Sequence, residues 1–224
     1  MQEVQPADVR AIPRVELPKK LGVAVPPGHD IEPVRNLLVA AGFSLDESVG
    51  RAPALVDVGS QDFESLPDWL NQHSEGHVLL LFNAPVPTIA RLMTDAVEPA
   101  DTVAQWRKQA EQVLAAVRPN RRRMTLIAME AAQSDPGTFI DLLGDRFGLA
   151  LKRPVDTIET GEDPSAVFRM MAENAVWQSP DVRNLAAELE ANALPMPPGH
   201  GQLLPAVEEV YSEFNTLVER TRAR

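Results

Sequence analysis

Four short apolar runs separated by helical patterns constrain this chain more than any other feature. Residues 21–25 (Leu-Gly-Val-Ala-Val), 54–58 (Ala-Leu-Val-Asp-Val), 77–82 (His-Val-Leu-Leu-Leu-Phe) and 124–128 (Met-Thr-Leu-Ile-Ala) are each of strand length. Three of the four are rich in Val, Leu or Ile, the residues that suit a pleated surface. Their near-continuous apolarity implies burial on both faces, the pattern of a parallel sheet covered by helices. The expected fold is therefore α/β, with a mostly parallel sheet of about four to five strands flanked by helices.

The segments between the strands carry helical periodicity. Residues 33–41 place Val34, Leu37, Leu38 and Ala41 on one face and stop at Gly42, while residues 63–72 bring Leu66, Trp69 and Leu70 together. Residues 87–96 turn Ile89, Leu92 and Met93 inward, and residues 101–117 carry a stripe of Val103, Trp106, Ala110, Val113, Leu114 and Val117. Phe139, Leu142, Leu143 and Phe147 form another stripe, closed by Gly148 as a C-cap. Four helix starts share one device, Glu98-Pro99, Asp135-Pro136, Asp163-Pro164 and Ser179-Pro180. The oxygen can cap free N–H groups, and proline at the first helical position gives up only an N–H that would be unpaired anyway.

Beyond residue 151 helical patterns continue without strands. Val167, Met170, Met171 and Ala175 face one way, Leu185, Ala186 and Leu189 another, and Leu194-Pro195-Met196-Pro197-Pro198-Gly199-His200-Gly201 reads as a linker. A last helix from about residue 203 to 222 presents Val207, Val210, Tyr211, Phe214, Leu217 and Val218. The expected organisation is an extended arm over 1–19, an α/β domain over 20–150, and a helical extension over 151–224. That extension packs on the sheet domain or pairs with a partner, a homodimer through the C-terminal helices included.

Composition removes several function classes. The 224 residues include no cysteine, which excludes disulfides, thiolate zinc sites and Cys nucleophiles. The four histidines have no metal-ligand spacing, so no metal site is expected, and His73, His77 and His200 read as surface or turn residues. A net charge of −11 repels nucleic acid unless cations cluster. The dense basic run, Arg118-Pro119-Asn120-Arg121-Arg122-Arg123, reads as a solvated helix end and turn, or as an anion-binding patch. No apolar run reaches the roughly 18 to 20 residues needed to span a bilayer, and Met1-Gln2-Glu3-Val4-Gln5-Pro6 lacks the regions of a signal peptide, so a cytoplasmic location is expected.

Candidate site residues lie just beyond the strand ends, where open α/β sheets hold ligands. After the first strand, Pro26-Pro27-Gly28-His29-Asp30 leads into a helix, the kind of turn that favours anions. Gly28 allows close backbone approach, His29 offers an imidazole, and Asp30 either lines a ligand crevice or caps the helix. Yet the loop has one glycine, two prolines without N–H groups and no lysine. Asn83 follows the third strand as a hydrogen-bonding side chain or a turn residue, and Asp62 follows the second as a cap or a base. Met129-Glu130 ends the fourth strand, where the Glu130 carboxylate could act as a general base. A nucleotide or sugar is the kind of small molecule such an edge would take, and no particular cofactor is indicated.

Residues 53–149 resemble the bacterial sulfotransferase family, whose fold is an α/β sheet of the P-loop kinase type. The shared order is the strand at 54–58, a helix with Leu66-Pro67 and Trp69-Leu70, and His77-Val78-Leu79-Leu80-Leu81-Phe82 followed by a polar residue and Pro85. A long helix, a basic turn and the strand Met124-Thr125-Leu126-Ile127-Ala128 come next, then Glu130, a short loop, Asp135-Pro136 and a helix ending in Phe147-Gly148-Leu149. The resemblance implies a phosphosulfate donor gripped by a Ser/Thr-rich basic loop and by an Arg after the third strand. This chain has Pro26-Pro27-Gly28-His29-Asp30 and Asn83-Ala84-Pro85 in those places. The implied protein is sulfotransferase-like with a degenerate donor site, in the setting of bacterial surface-polysaccharide biosynthesis. An active transferase with a different nucleotide or sugar donor, and a non-enzymatic interaction or scaffold module, are the alternatives. A shorter stretch, residues 21–43, is similar to the opening strand and loop of ATP phosphoribosyltransferases, with His29 where that family prefers Arg.

Overall fold

The computed structural model describes residues 13–25, 31–45, 53–57, 63–154, 164–196 and 206–222. Four strands, β1 (Lys20–Ala24), β2 (Ala54–Asp57), β3 (Gly76–Phe82) and β4 (Met124–Ala128), form one all-parallel sheet in the order β2-β1-β3-β4. Leu21 pairs with Leu55 on one side and with His77 on the other, while Leu80 pairs with Leu126. Strand order thus reverses between β1 and β3, which makes the carboxyl ends of those two strands the topological switch point.

The apolar run of β3 resolves into strict alternation. Val78, Leu80 and Phe82 enter one buried cluster with Leu66, Ile89, Trp106, Leu114 and Leu126. Leu79 and Leu81 enter a second, with Val34, Leu38, Ile127, Phe139 and Leu143. Successive side chains of a strand point to opposite faces, so one continuous apolar segment serves two cores.

The second of these faces is covered by α1 (Glu32–Ala41) and α6 (Pro136–Phe147), the first by α2 (Leu66–Gln72) and α4 (Pro99–Asn120). A 3-10 turn, Phe63–Ser65, leads into α2, and α3 (Pro85–Thr94) starts two residues before the position its periodicity suggests. Helices α1 and α6 end as expected at Gly42 (φ 114°) and Gly148 (φ 65°), left-handed positions that favour a residue without Cβ. Residues 129–134, expected as a strand end and a loop, instead form the short helix α5 (Met129–Ser134), with Ala131 and Ala132 buried.

Beyond the sheet lie α7 (Ala166–Gln178), α8 (Pro180–Asn192) and α9 (Val207–Arg222). Val182 and Leu189 of α8 and Ala172 of α7 complete the core on the α4 side, so these two helices share the core of the sheet domain. After α8 the chain returns to the sheet edge, where Leu194 N–H donates to the Leu126 carbonyl at 2.8 Å and blunts β4. The inward face of α7 differs from the expected one. Met170 and Met171 are exposed, and Ala172 makes the close contact because a small residue lets α7 approach α3.

Of the Pro-marked helix starts, Asp135 is a true cap. Its carboxylate accepts from Thr138 N–H at 2.9 Å and from the Thr138 hydroxyl at 2.6 Å, which together hold its pKa below the usual range. Glu98 makes no capping bond, and the Ser179 hydroxyl donates backwards to the Ala175 carbonyl at 2.8 Å. Asp163 lies outside the described residues, and α7 starts instead with its Ala166 N–H donating to Glu213 of α9 at 2.7 Å. In urea titrations Asp135→Ala is therefore expected to lose about 1 kcal/mol and Ser179→Ala less than about 0.5 kcal/mol.

Two arginines of the basic run have structural duties, while Arg121 and Arg122 are exposed. Arg118 makes a two-point ion pair with Glu188 of α8, with distances of 2.9 and 2.8 Å. Arg123 donates to the carbonyls of Leu70, His73 and Gly76, so its cation caps the C-terminal end of α2 and locks it to the start of β3. Residues 13–19, the described part of the expected arm, are tied down by Val15 N–H on the Arg146 carbonyl and by Arg146 Nη1 on the Pro13 carbonyl, both at 2.9 Å. No helix among the described residues is long and apolar enough to cross a membrane.

Candidate functional site at the carboxyl edge of the sheet

The order of β3 and β4 as neighbours brings two of the candidate residues together. Asn83 and Ala84 follow β3, Glu130 opens α5 after β4, and Glu130 Oε1 accepts from Ala84 N–H at 2.9 Å. The Asn83 carbonyl accepts from the Trp106 indole N–H at 3.0 Å, and the Thr88 hydroxyl donates to the Ala84 carbonyl at 2.8 Å. The turn after β3 is thus fixed from three elements, α3, α4 and α5. Gly28, His29, Asp30 and Asp62 lie outside the described residues.

Ala84 is the N-cap of α3, where an anion would be held by free N–H groups and the helix dipole. Here the chain's own Glu130 carboxyl takes that place, accepting the Ala84 N–H. The remaining donors at this end are few, because Pro85 and Pro87 in the first turn have no N–H. Proline also stands in the first turn of α1, beside the acidic Glu32, and of α6, beside the capping Asp135. Among the described residues, the crevice beside Asn83, lined by Phe63, Phe82 and Trp106, holds about 10 Å³, scarcely the room of one water.

Glu130 is electrostatically unusual. Burial pushes its carboxyl up to about 7, against the opposing pull of its own N–H, of Ala84 N–H and of the Arg91 charge. Its second oxygen, Oε2, is buried and has no hydrogen-bond partner among the described residues. The protonated acid suits this environment better than the carboxylate, because removing a charge from water is far costlier than removing a neutral group.

A second buried polar cluster sits at the opposite end of β3 and corrects the expectation that His77 is a surface residue. His77 is 3% exposed, and Nε2 lies 2.8 Å from the Thr125 hydroxyl. Arg146 Nε–H donates to that same hydroxyl oxygen at 2.9 Å, so the hydroxyl proton is free to donate to His77. With the ring neutral, an unprotonated Nε2 can accept that proton. Burial, then the charges of Arg146 and Arg123, lower the His77 pKa to about 3. The Phe147 ring meets it edge-on, with centroids 5.2 Å apart. This cluster is structural, since it joins β3, β4 and α6 at the amino edge, away from the switch point.

His73 stacks on Trp69 at 4.6 Å, and His200 lies outside the described residues. Among the described residues no three His, Asp or Glu side chains are grouped so as to hold a metal ion. Two grooves along α4 and α8, of about 220 and 280 Å³, are lined in part by Arg107 and Asp181 and contain none of the candidate residues. Compared with known proteins, the chain matches no family model and no curated protein.

Proposed function

We propose that this is a sulfotransferase-like α/β protein whose donor edge is closed by its own side chains, and that the sheet serves as a scaffold rather than as a phosphosulfate-binding site. The carrying observation is Glu130 Oε1 on Ala84 N–H, a carboxyl group lodged at the helix terminus where an anionic donor would compete for the same donor group. The prolines of α1, α3 and α6 and the Asp135 cap reduce the other helix termini in the same sense. The setting that goes with this reading is surface-polysaccharide biosynthesis, with the protein as a non-catalytic component, and its support is the sequence resemblance to bacterial sulfotransferases alone. Calorimetry with 3′-phosphoadenosine 5′-phosphosulfate at low salt is expected to show no binding heat. Micromolar affinity would overturn the reading.

The near-neutral Glu130 carboxyl favours a second reading, an active transferase using another nucleotide or sugar donor with Glu130 as its acid or base. Its discriminating measurement is thermal unfolding against a panel of nucleotide sugars. A rise in Tm that grows with ligand concentration supports the transferase, and a flat response supports the scaffold.

A further inference from the structure

We infer that the outward stripe of α9 pairs antiparallel with the same stripe of a second copy of this chain, around a two-fold axis. The inference concerns a different part of the molecule from the donor edge and stands whichever way the donor test falls. Helix α9 is held to α7 by two contacts of different kind, the buried Val210 and the Glu213 carboxylate on Ala166 N–H. With that side occupied, Val207, Tyr211 and Phe214 stay 77%, 67% and 52% exposed, and Val218, half-buried, lies in line with them one turn on.

The spacing of this stripe identifies the occupant. Val207, Tyr211, Phe214 and Val218 follow one another by four, three and four positions, a pattern that reads the same from either end. Two antiparallel copies therefore place Val207 opposite Val218 and Tyr211 opposite Phe214, twice over. Such self-complementarity is what an isologous two-fold interface requires. Charge acts in the same direction: Glu208 and Glu209 lie at one end of α9 and Arg222 at the other. Antiparallel pairing brings the acidic end of one copy toward the basic end of the next, whereas parallel pairing stacks like charges.

The area is also sufficient. Trp177, which is 70% exposed, and Met170 share an outward stripe of α7, the helix on which α9 packs. At about 150–250 Å² per aromatic side chain, the exposed parts of Trp177, Tyr211 and Phe214 amount to roughly 400 Å². Val207 and Met170 bring the total to about 600 Å², the lower end of the area per partner in a stable interface.

Sedimentation equilibrium of the full chain from about 1 to about 200 µM is expected to show a dimer that dissociates on dilution. The double variant Tyr211→Glu/Phe214→Glu is expected to be monomeric, with unchanged far-UV circular dichroism showing that the fold is intact. Because the chain has no cysteine, crosslinks are unambiguous. Mixing Val207→Cys with Val218→Cys under mild oxidation is expected to yield mixed disulfide dimers well above the yield of either variant alone. A monomer throughout the concentration range, a dimer untouched by the double glutamate change, or Val207→Cys crosslinking best to itself would each overturn the inference.

Discussion

Acidification from pH 6.5 to pH 3 is expected to cost this protein on the order of 4 kcal/mol through His77 alone. The imidazole titrates near its ordinary 6.5 in the unfolded chain and at about 3 in the folded one. Between those values the unfolded state binds a proton that the folded state refuses, so stability falls as pH falls and is fully present only above about 6.5. The physical reason is geometric. The ring is buried against the Thr125 hydroxyl, so a protonated imidazole would be desolvated beside the Arg146 and Arg123 guanidinium groups. Urea unfolding as a function of pH is expected to show a proton-linked slope approaching one proton below about pH 4.5, where the opposing titration of Glu130 has ended. His77→Gln, which removes the titration while retaining an acceptor for Thr125, is expected to flatten it. Equal slopes in the two proteins would show that the acid limb has another origin.

That cluster marks the boundary of what the chain discloses by itself. The run at 77–82 is apolar enough to demand burial, and burial applies to the whole strand, including its histidine. The partners that make a buried histidine tolerable, Thr125 and Arg146, are 48 and 69 positions away, however, and only the pairing of β3 with β4 assembles them. Local signals behaved differently. The strand at 124–128 and the glycine stops at Gly42 and Gly148 were legible because each depends on neighbours within a few residues. The proline rule located helix starts well but capping poorly, since a serine such as Ser179 can turn its hydroxyl back to the preceding helix. On α7 the methionines were the natural choice for an inward face, but close packing against α3 selected Ala172. The candidate edge followed from topology, while the Ala84 to Glu130 contact required strand order, which no local pattern encodes.

Glu130→Gln is expected to stabilise the protein at pH 8 by on the order of 3 kcal/mol and to leave it nearly unchanged near pH 4. The folded carboxyl titrates at about 7 against an ordinary 4.5, so between these values the folded state holds a proton that the unfolded state has released. Stability from this group is complete below about 4.5 and is lost as pH rises through about 7, opposite in sign to the His77 contribution. From pH 4.5 to 6.5 the two slopes largely cancel, which predicts a plateau bounded by an acid limb from His77 and an alkaline decline from Glu130. Glutamine mimics the protonated acid: its carbonyl can still accept from Ala84 N–H, and no charge is left on the buried second position occupied by Oε2. Unfolding free energies of wild type and Glu130→Gln from pH 4 to pH 9 test this directly, with divergence expected only above about pH 5. Parallel curves would mean that Glu130 is solvated and ionised in the folded protein. The α3 terminus would then hold a charged carboxylate at neutral pH, a stronger barrier to an anionic donor than the neutral acid.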